Sequence, residues 1–218
     1  MKSVYVYSHL GGEEILILKH PQLNREIDDV VAAIPNPGRT KISREKTKMG
    51  KKLFSPKDLN TLFDQQFESR GWKELRDYYD IELPDYRHVV KGAYKQCDYY
   101  KHPVLVEVQF GKYAFMFYDL AKFQYFYNQG MIEVGVEIVP CHFLQKEMSS
   151  GVSYGEQLVN DLERLSRNFP SVPVKIILID MPVEGTDYGG AERGLVHRDH
   201  KDYLQQIDER LKEIGLHK

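Results

Sequence analysis

The sequence predicts an α/β fold, a central mixed β-sheet flanked by helices, and three observations carry that expectation. Two runs rich in β-branched residues, HPVLVEVQF (102–110) and MIEVGVEIV (131–139), enclose a long aromatic stretch that ends at Gly130. That order reads strand, helix, strand. A third run, VPVKIILID (172–180), reads as a buried strand and follows YGEQLVNDLERLSR (154–167), a helical pattern, so it closes a further crossover.

The remaining elements follow from the N-terminus. Residues 22–34 place Leu23, Ile27, Val30, Val31 and Ile34 at helical spacing, and Pro35 with Pro37-Gly38 ends the run in a loop. Ser55-Pro56-Lys57-Asp58 supplies an N-cap, a first-turn proline and an acidic residue three positions on, after which Leu59, Leu62, Phe63 and Phe67 continue an apolar face toward Gly71. Beyond residue 180, EGTDYGGAERG (184–194) reads as a loop, and Asp199 to Ile214 as a charged amphipathic helix stopped by Gly215. With 218 residues, 42% of them hydrophobic, the chain is expected to build one core, a single domain over 1–218. No apolar run reaches eighteen residues and the start lacks a secretory pattern, so a cytoplasmic protein is expected, with no membrane attachment. Cys97 and Cys141 are far apart and read as buried thiols.

Charge is placed unevenly. Seven basic residues from Arg39 to Lys52, including Lys46 and Lys48, stand against Glu45 alone and give residues 39–52 a charge of +6, leaving −8 for the rest of a chain of net charge −2. The segment is either a solvated loop or an arm whose lysines and arginines meet DNA phosphates.

The chemistry concentrates around Asp98, Glu107 and Gln109. In Glu107-Val108-Gln109 the outer side chains share one face of a strand while Val108 points into the core, and Asp98 on a neighbouring strand or turn can bring its carboxylate toward Glu107. Two hard oxygen ligands suit Mg²⁺, and a metal so held can acidify a water and stabilise the leaving oxygen of a phosphodiester. Charges in an apolar strand are costly unless paired or bound to metal. The competing reading is a strand whose polar edge faces solvent.

The run VLVEVQFGKYAFMFYDL resembles the active-site strand of the BglII/BstYI restriction endonucleases, a branch of the PD-(D/E)xK nuclease superfamily in which glutamine replaces the usual lysine. The resemblance extends in ordered patches over residues 3–155, through VYSHL, EKTKMG, FSP, GWKE, VGVEIVP and KEMSSGVSY, and is closer to the BstYI side of the group. It implies a restriction-endonuclease-like core, a Mg²⁺ cofactor held by Asp98, Glu107 and the Val108 carbonyl, and catalytic roles for Asp98, Glu107 and Gln109. An amide is no efficient base, so Gln109 would position the attacking water by hydrogen bonding. Cys97 stands where the general motif has proline, and Glu82 and Asp85 are the candidates for a further acidic residue.

The same resemblance implies that double-stranded DNA is read by Lys112 in FGKY and by Ser149, Ser150 and Ser153 in SSGVS, residues whose donors and acceptors suit base edges. Arg39, Lys46 and Lys48 would meet phosphates. The expected target is a six-base palindrome with central GATC, of the form purine-GATC-pyrimidine, cut to leave four-base 5′ overhangs with 5′-phosphates. A palindrome calls for a homodimer, to which the aromatic helix of residues 114–129 could contribute. His197 and His200 beside Asp199 lack further ligands and read as a solvated helix start. The glycines of 189–194 match no nucleotide-binding motif, so no nucleotide cofactor is expected. Two other functions fit the residues: a non-catalytic sequence-specific DNA-binding protein, and a repair-type nuclease of the same superfamily.

Overall fold

Local chemistry sets the elements in order. Strand β1 (Lys2–His9) leads into helices α1 (Gly12–Lys19) and α2 (Pro21–Ala33), the second with Pro21 in its first turn and Ile27, Val30 and Val31 buried. Strands β2 (Lys41–Ile42) and β3 (Lys52–Leu53) form a small ribbon around a single 3-10 turn at Lys46–Lys48. Helix α3 (Pro56–Ser69) starts as expected, the Ser55 side chain accepting from the Asp58 N–H, and it buries Leu59, Phe63 and Phe67. Then come the hairpin strands β4 (Lys73–Ile81) and β5 (Val90–Lys101), strand β6 (Val104–Val108), helix α4 (Tyr113–Asn128), strand β7 (Val134–Pro140), helices α5 (His142–Lys146) and α6 (Gly155–Arg164), and strand β8 (Val174–Asp180). This is a computed structural model describing residues 1–165 and 168–181. The expected tail helix, the glycine loop and the His197, Asp199, His200 group lie outside the described residues.

Six strands pair in the order β1-β8-β7-β6-β5-β4. The β6–β7 and β7–β8 pairs are parallel and the others antiparallel, so the sheet is mixed, as expected. The central strands β6, β7 and β8 are buried along their whole length, which explains their near-continuous apolar sequence.

The two faces can be assigned from register. Leu105 and Glu107 of β6 lie beside Gly135 and Glu137 of β7, and this face is covered by α4, because a side chain at Gly135 would run into the Phe123 ring. Val106, Val136 and Lys175 share the opposite face. There Lys175 Nζ donates to Asn24 Oδ1 of α2 (2.8 Å), and Tyr99, paired with Val106, stacks on Phe67 of α3 at 4.3 Å between ring centres. Gly135 is thus a packing requirement. A Cβ there would lie 2.5 Å from Phe123, so Gly135→Ala is expected to cost about 1–3 kcal/mol of stability, read as a lowered denaturation midpoint. An unchanged midpoint would mean that α4 shifts freely.

Three differences from the sequence reading have physical causes. The strand expected over 102–110 contracts to its fully buried centre, the one expected over 131–139 starts at Val134 and runs to Pro140, and the helix expected over 154–167 ends by Arg164. The β4–β5 hairpin, 73–101, carries no apolar face that the sequence could display: β5 meets β6 only from Tyr99 to Lys101, and Tyr78, Ile81, Val90 and Tyr94 stay exposed. The aromatic helix is divided. Phe123 and Phe126 are core residues, whereas Phe115 is 52% and Tyr118 49% exposed.

Candidate active site

The site lies at the C-terminal end of β6, beneath α4. Glu107 is 2% exposed and Val108 is buried, as is the whole of β6, which overturns the reading of a strand with a solvent-facing polar edge. Strand β7 runs alongside in parallel register and sets Glu137 directly beside Glu107. From α4, the i,i+3 pair Asp119 and Lys122 reaches the same place.

Lys122 is the central cation. Its Nζ lies 2.5 Å from Glu107 Oε1 and 2.8 Å from Asp119 Oδ1. Gln109 Nε2 donates to the other Asp119 oxygen, Oδ2, at 2.7 Å, and Gln109 Oε1 accepts from the Gly111 N–H at 2.8 Å. Asp98 sits at the margin, half-buried, with Oδ2 3.5 Å from the Val108 N–H. Asp98, Glu107 and Gln109 are therefore gathered at one strand end.

Burial and mutual repulsion dominate the electrostatics. Burial first, then the charges of Asp98 and Asp119, push the Glu107 carboxyl well above the usual carboxylate range, with Lys122 opposing. Asp119 is raised by burial, against the pull of Lys122 and the Gln109 hydrogen bond. Burial works to lower Lys122, but Glu107 and Asp119 outweigh it and the net displacement is upward. Glu137 is raised well above its usual range by burial and then by Asp119 and Glu107; it is fully buried, and neither carboxyl oxygen has a hydrogen-bond partner among the described residues. The Cys97 thiol, buried beside Glu107, is likewise pushed up by burial and that carboxylate.

These residues fit a divalent cation. Glu107, Asp119 and Glu137 place three buried carboxyls against one ammonium, and both oxygens of Glu137 lack partners. Uncompensated buried carboxyls call for a cation or a proton. Among the described residues no three His, Cys, Asp or Glu side chains form a ready metal cage. Mg²⁺ does not require one, since it takes one or two carboxylates and completes its shell with water and substrate phosphate.

Glu82 and Asp85 do not join the site. They occupy the exposed connection between β4 and β5, beyond the Ile81–Val90 pair, and the eight residue steps from Val90 to Asp98 span roughly 26 Å. The additional acidic residues are Asp119 and Glu137. The signal that could have found Glu137 is the one that singled out Glu107, a charge inside an apolar strand.

The expected DNA-contacting residues divide in the same way. Lys112, at the N-cap of α4, and Ser150 are exposed. Ser149 is buried, its Oγ accepting from Lys41 Nζ at 2.5 Å. Ser153 is half-buried, its N–H donating to the Gly111 carbonyl at 2.9 Å. The basic segment folds onto this loop. Lys48 Nζ donates to the carbonyls of Lys146 (3.0 Å) and Met148 (2.7 Å), the Ser150 N–H is shared by both Glu45 oxygens at 3.1 Å, and Arg39 pairs with Glu147 at 2.9 Å. Lys46 remains exposed. Arg39 and Lys48 thus support the loop, a role the sequence reading missed because about a hundred residues separate the partners.

Comparison with known proteins places this geometry in context. A family model described as restriction endonuclease BglII/BglIII matches residues 4–179. The type II restriction enzyme BglII of Bacillus subtilis is 28% identical over 178 residues, covering 78% of this chain and 72% of that enzyme. The crystal structure of restriction endonuclease BglII complexed with a DNA 16-mer superposes with a TM-score of 0.66 at 24% identity, covering 84% of this chain and 80% of that one. Free BglII superposes with a TM-score of 0.58 at 22% identity, covering 84% and 82%. At those identities the solved structures speak for the fold.

Proposed function

Because the chain belongs to the BglII/BglIII family of restriction endonucleases and is thereby a type II site-specific deoxyribonuclease, we propose that it uses Mg²⁺ to hydrolyse double-stranded DNA at a six-base palindrome with central GATC. The favoured target is purine-GATC-pyrimidine, on the likeness of FGKY and MSSG to BstYI, and the products carry four-base 5′ overhangs with 5′-phosphates. Membership of the family displaces the non-catalytic and repair-type alternatives. The observation that carries the reading is the buried acid excess around Glu107, with the Asp98 carboxylate at the Val108 amide.

Asp98, Glu107 and the Val108 carbonyl would hold the metal. When bound, Mg²⁺ supplies a Lewis acid that acidifies water and offsets charge on the leaving oxygen. The Gln109 amide is oriented by Asp119 and Gly111, and its second N–H is left to hold the attacking water in place. Lys122 aims the Glu107 carboxyl and favours its ionised form against the burial that opposes it. On the DNA side, Lys112 and Ser150 read base edges, with Ser149 and Ser153 shaping the loop, while Lys46 meets phosphate. The enzyme works in the cytoplasm as a homodimer, one active site per strand, and the exposed Phe115 and Tyr118 of α4 offer apolar surface for the partner. Among the described residues no helix is long and apolar enough to cross a membrane.

Digestion of plasmid DNA by the purified protein with Mg²⁺, followed by sequencing of the ends, tests the assignment. Discrete fragments with GATC overhangs are expected. Ends lacking GATC would overturn the target, and cutting undiminished in chelator would overturn the metal requirement.

A further inference from the structure

The reading loop and the catalytic carboxylate are joined by an unbroken series of polar contacts. It starts where the Ser153 N–H donates to the Gly111 carbonyl (2.9 Å) and the Gly111 N–H donates to Gln109 Oε1 (2.8 Å). Gln109 Nε2 then donates to Asp119 Oδ2 (2.7 Å), and Lys122 Nζ pairs with Asp119 Oδ1 (2.8 Å) and Glu107 Oε1 (2.5 Å). Gly111, Gln109 and Asp119 each use a different atom for each neighbour, and the Lys122 ammonium, with three N–H donors, serves both Asp119 and Glu107, so no link competes with the next. We propose that target reading is coupled to catalysis through this chain from Ser153 to Glu107, with Asp119 and Lys122 as positioning residues and Gly111 as the joint between loop and strand. The proposal rests on the reading that SSGVS contacts DNA and that Gln109 and Glu107 serve catalysis.

Three features favour transmission over absorption. Gly111 has no room for a side chain: a Cβ would lie 2.5 Å from Gln109 Oε1 and 3.2 Å from the Phe115 ring. The two peptide groups that flank the Gly111 Cα carry, one the loop's hydrogen bond, the other the hydrogen bond that orients Gln109. The loop's other flank is held by Glu45, Lys41 and Lys48 and by the Phe54 N–H on the Glu147 carbonyl (2.9 Å). Movement imposed at Ser150 is thus directed toward Ser153. Finally, Asp119, Lys122 and Glu107 are all buried, in a close-packed interior that transmits small displacements.

The alternative is that Asp119 and Lys122 merely complete the packing of the site. Coupling must be measured to be claimed, and substrate discrimination separates the two. Single-turnover cleavage is followed on the mapped target duplex and on a duplex with one GATC base pair changed, with binding to each measured in Ca²⁺. In Asp119→Asn one carboxyl oxygen becomes an amide nitrogen, so a single acceptor is left between Gln109 and Lys122 and the charge holding Lys122 is lost. Its cleavage of the target duplex is expected to fall about tenfold more than its cleavage of the changed duplex, and Lys122→Arg should recover more discrimination than Lys122→Met. Should Asp119→Asn fail to fold, as judged by circular dichroism, Gly111→Ala is read in its place, with the same expectation. Equal loss on both duplexes overturns the relay. Ser150→Ala removes the hydroxyl, with its share of the Glu45 contact, while Glu45 still holds the backbone N–H. Reduced discrimination in Ser150→Ala beside equal loss in Asp119→Asn overturns the relay alone; unchanged discrimination in Ser150→Ala overturns the loop's reading role and the relay with it.

Discussion

Glu107→Ala is expected to lower cleavage of the target duplex by about a thousandfold or more, because a bound metal contributes several kcal/mol of transition-state stabilisation. Specific binding to the uncut duplex should persist. Glu107 lies within strand β6, 2% exposed and 2.5 Å from Lys122, whereas Lys112 and Ser150 lie exposed on separate loops. The substitution also deprives Lys122 of one partner, but Asp119 at 2.8 Å still holds the ammonium. That limits the damage below the roughly 3–5 kcal/mol that follows when a buried charge is left alone. Glu107→Gln keeps the side-chain volume and serves as the control for packing. Substantial cutting by a folded Glu107→Gln protein would refute the assignment of Glu107 as a metal carboxylate.

How far the sequence reached depended on whether an element buries a patterned face. The core strands β6, β7 and β8 and helices α2 and α3 were legible because β-branched runs and a 3.6-residue apolar period are burial signals. Strand β5, which carries Asp98, was left open as a strand or a turn. Its sequence, VKGAYKQCDYYK, shows no sustained apolar alternation, since Cys97 and Tyr99 are the only residues of the hairpin strands that are buried. In the site, Asp98, Glu107 and Gln109 came into view through strand alternation and family resemblance. Asp119 and Lys122 stayed hidden inside a helix read only as aromatic, although an acid and a base three apart on its buried side were the available sign. The seating of the basic segment on the 146–150 loop depends on tertiary contacts with no local signature, and so its lysines read as free when several are committed.

The second large effect concerns stability and pH. Glu137 is wholly buried without a hydrogen-bond partner among the described residues, and its carboxyl is raised well above the usual range. A folded pKa above the unfolded one means that the folded state binds the extra proton. The stability this group contributes is complete below its unfolded pKa of 4.5, and it is lost as pH rises toward the folded value, at about 1.4 kcal/mol per pH unit for one such carboxyl. The metal-free protein is therefore expected to melt at progressively lower temperature as pH rises above 4.5 toward the folded value of this carboxyl. Glu137→Met replaces the acid by an apolar chain of similar reach, which should make that decline shallower and leave the variant the more stable protein at pH 8, each kcal/mol appearing as about 2–4 °C in the melting temperature. Some decline must remain, because Glu107 and Asp119 are displaced in the same direction. Thermal melts of both proteins across that range, without metal, decide the matter. Parallel curves would mean that Glu137 is already ionised in the fold, and a cation within its reach would then have to be found.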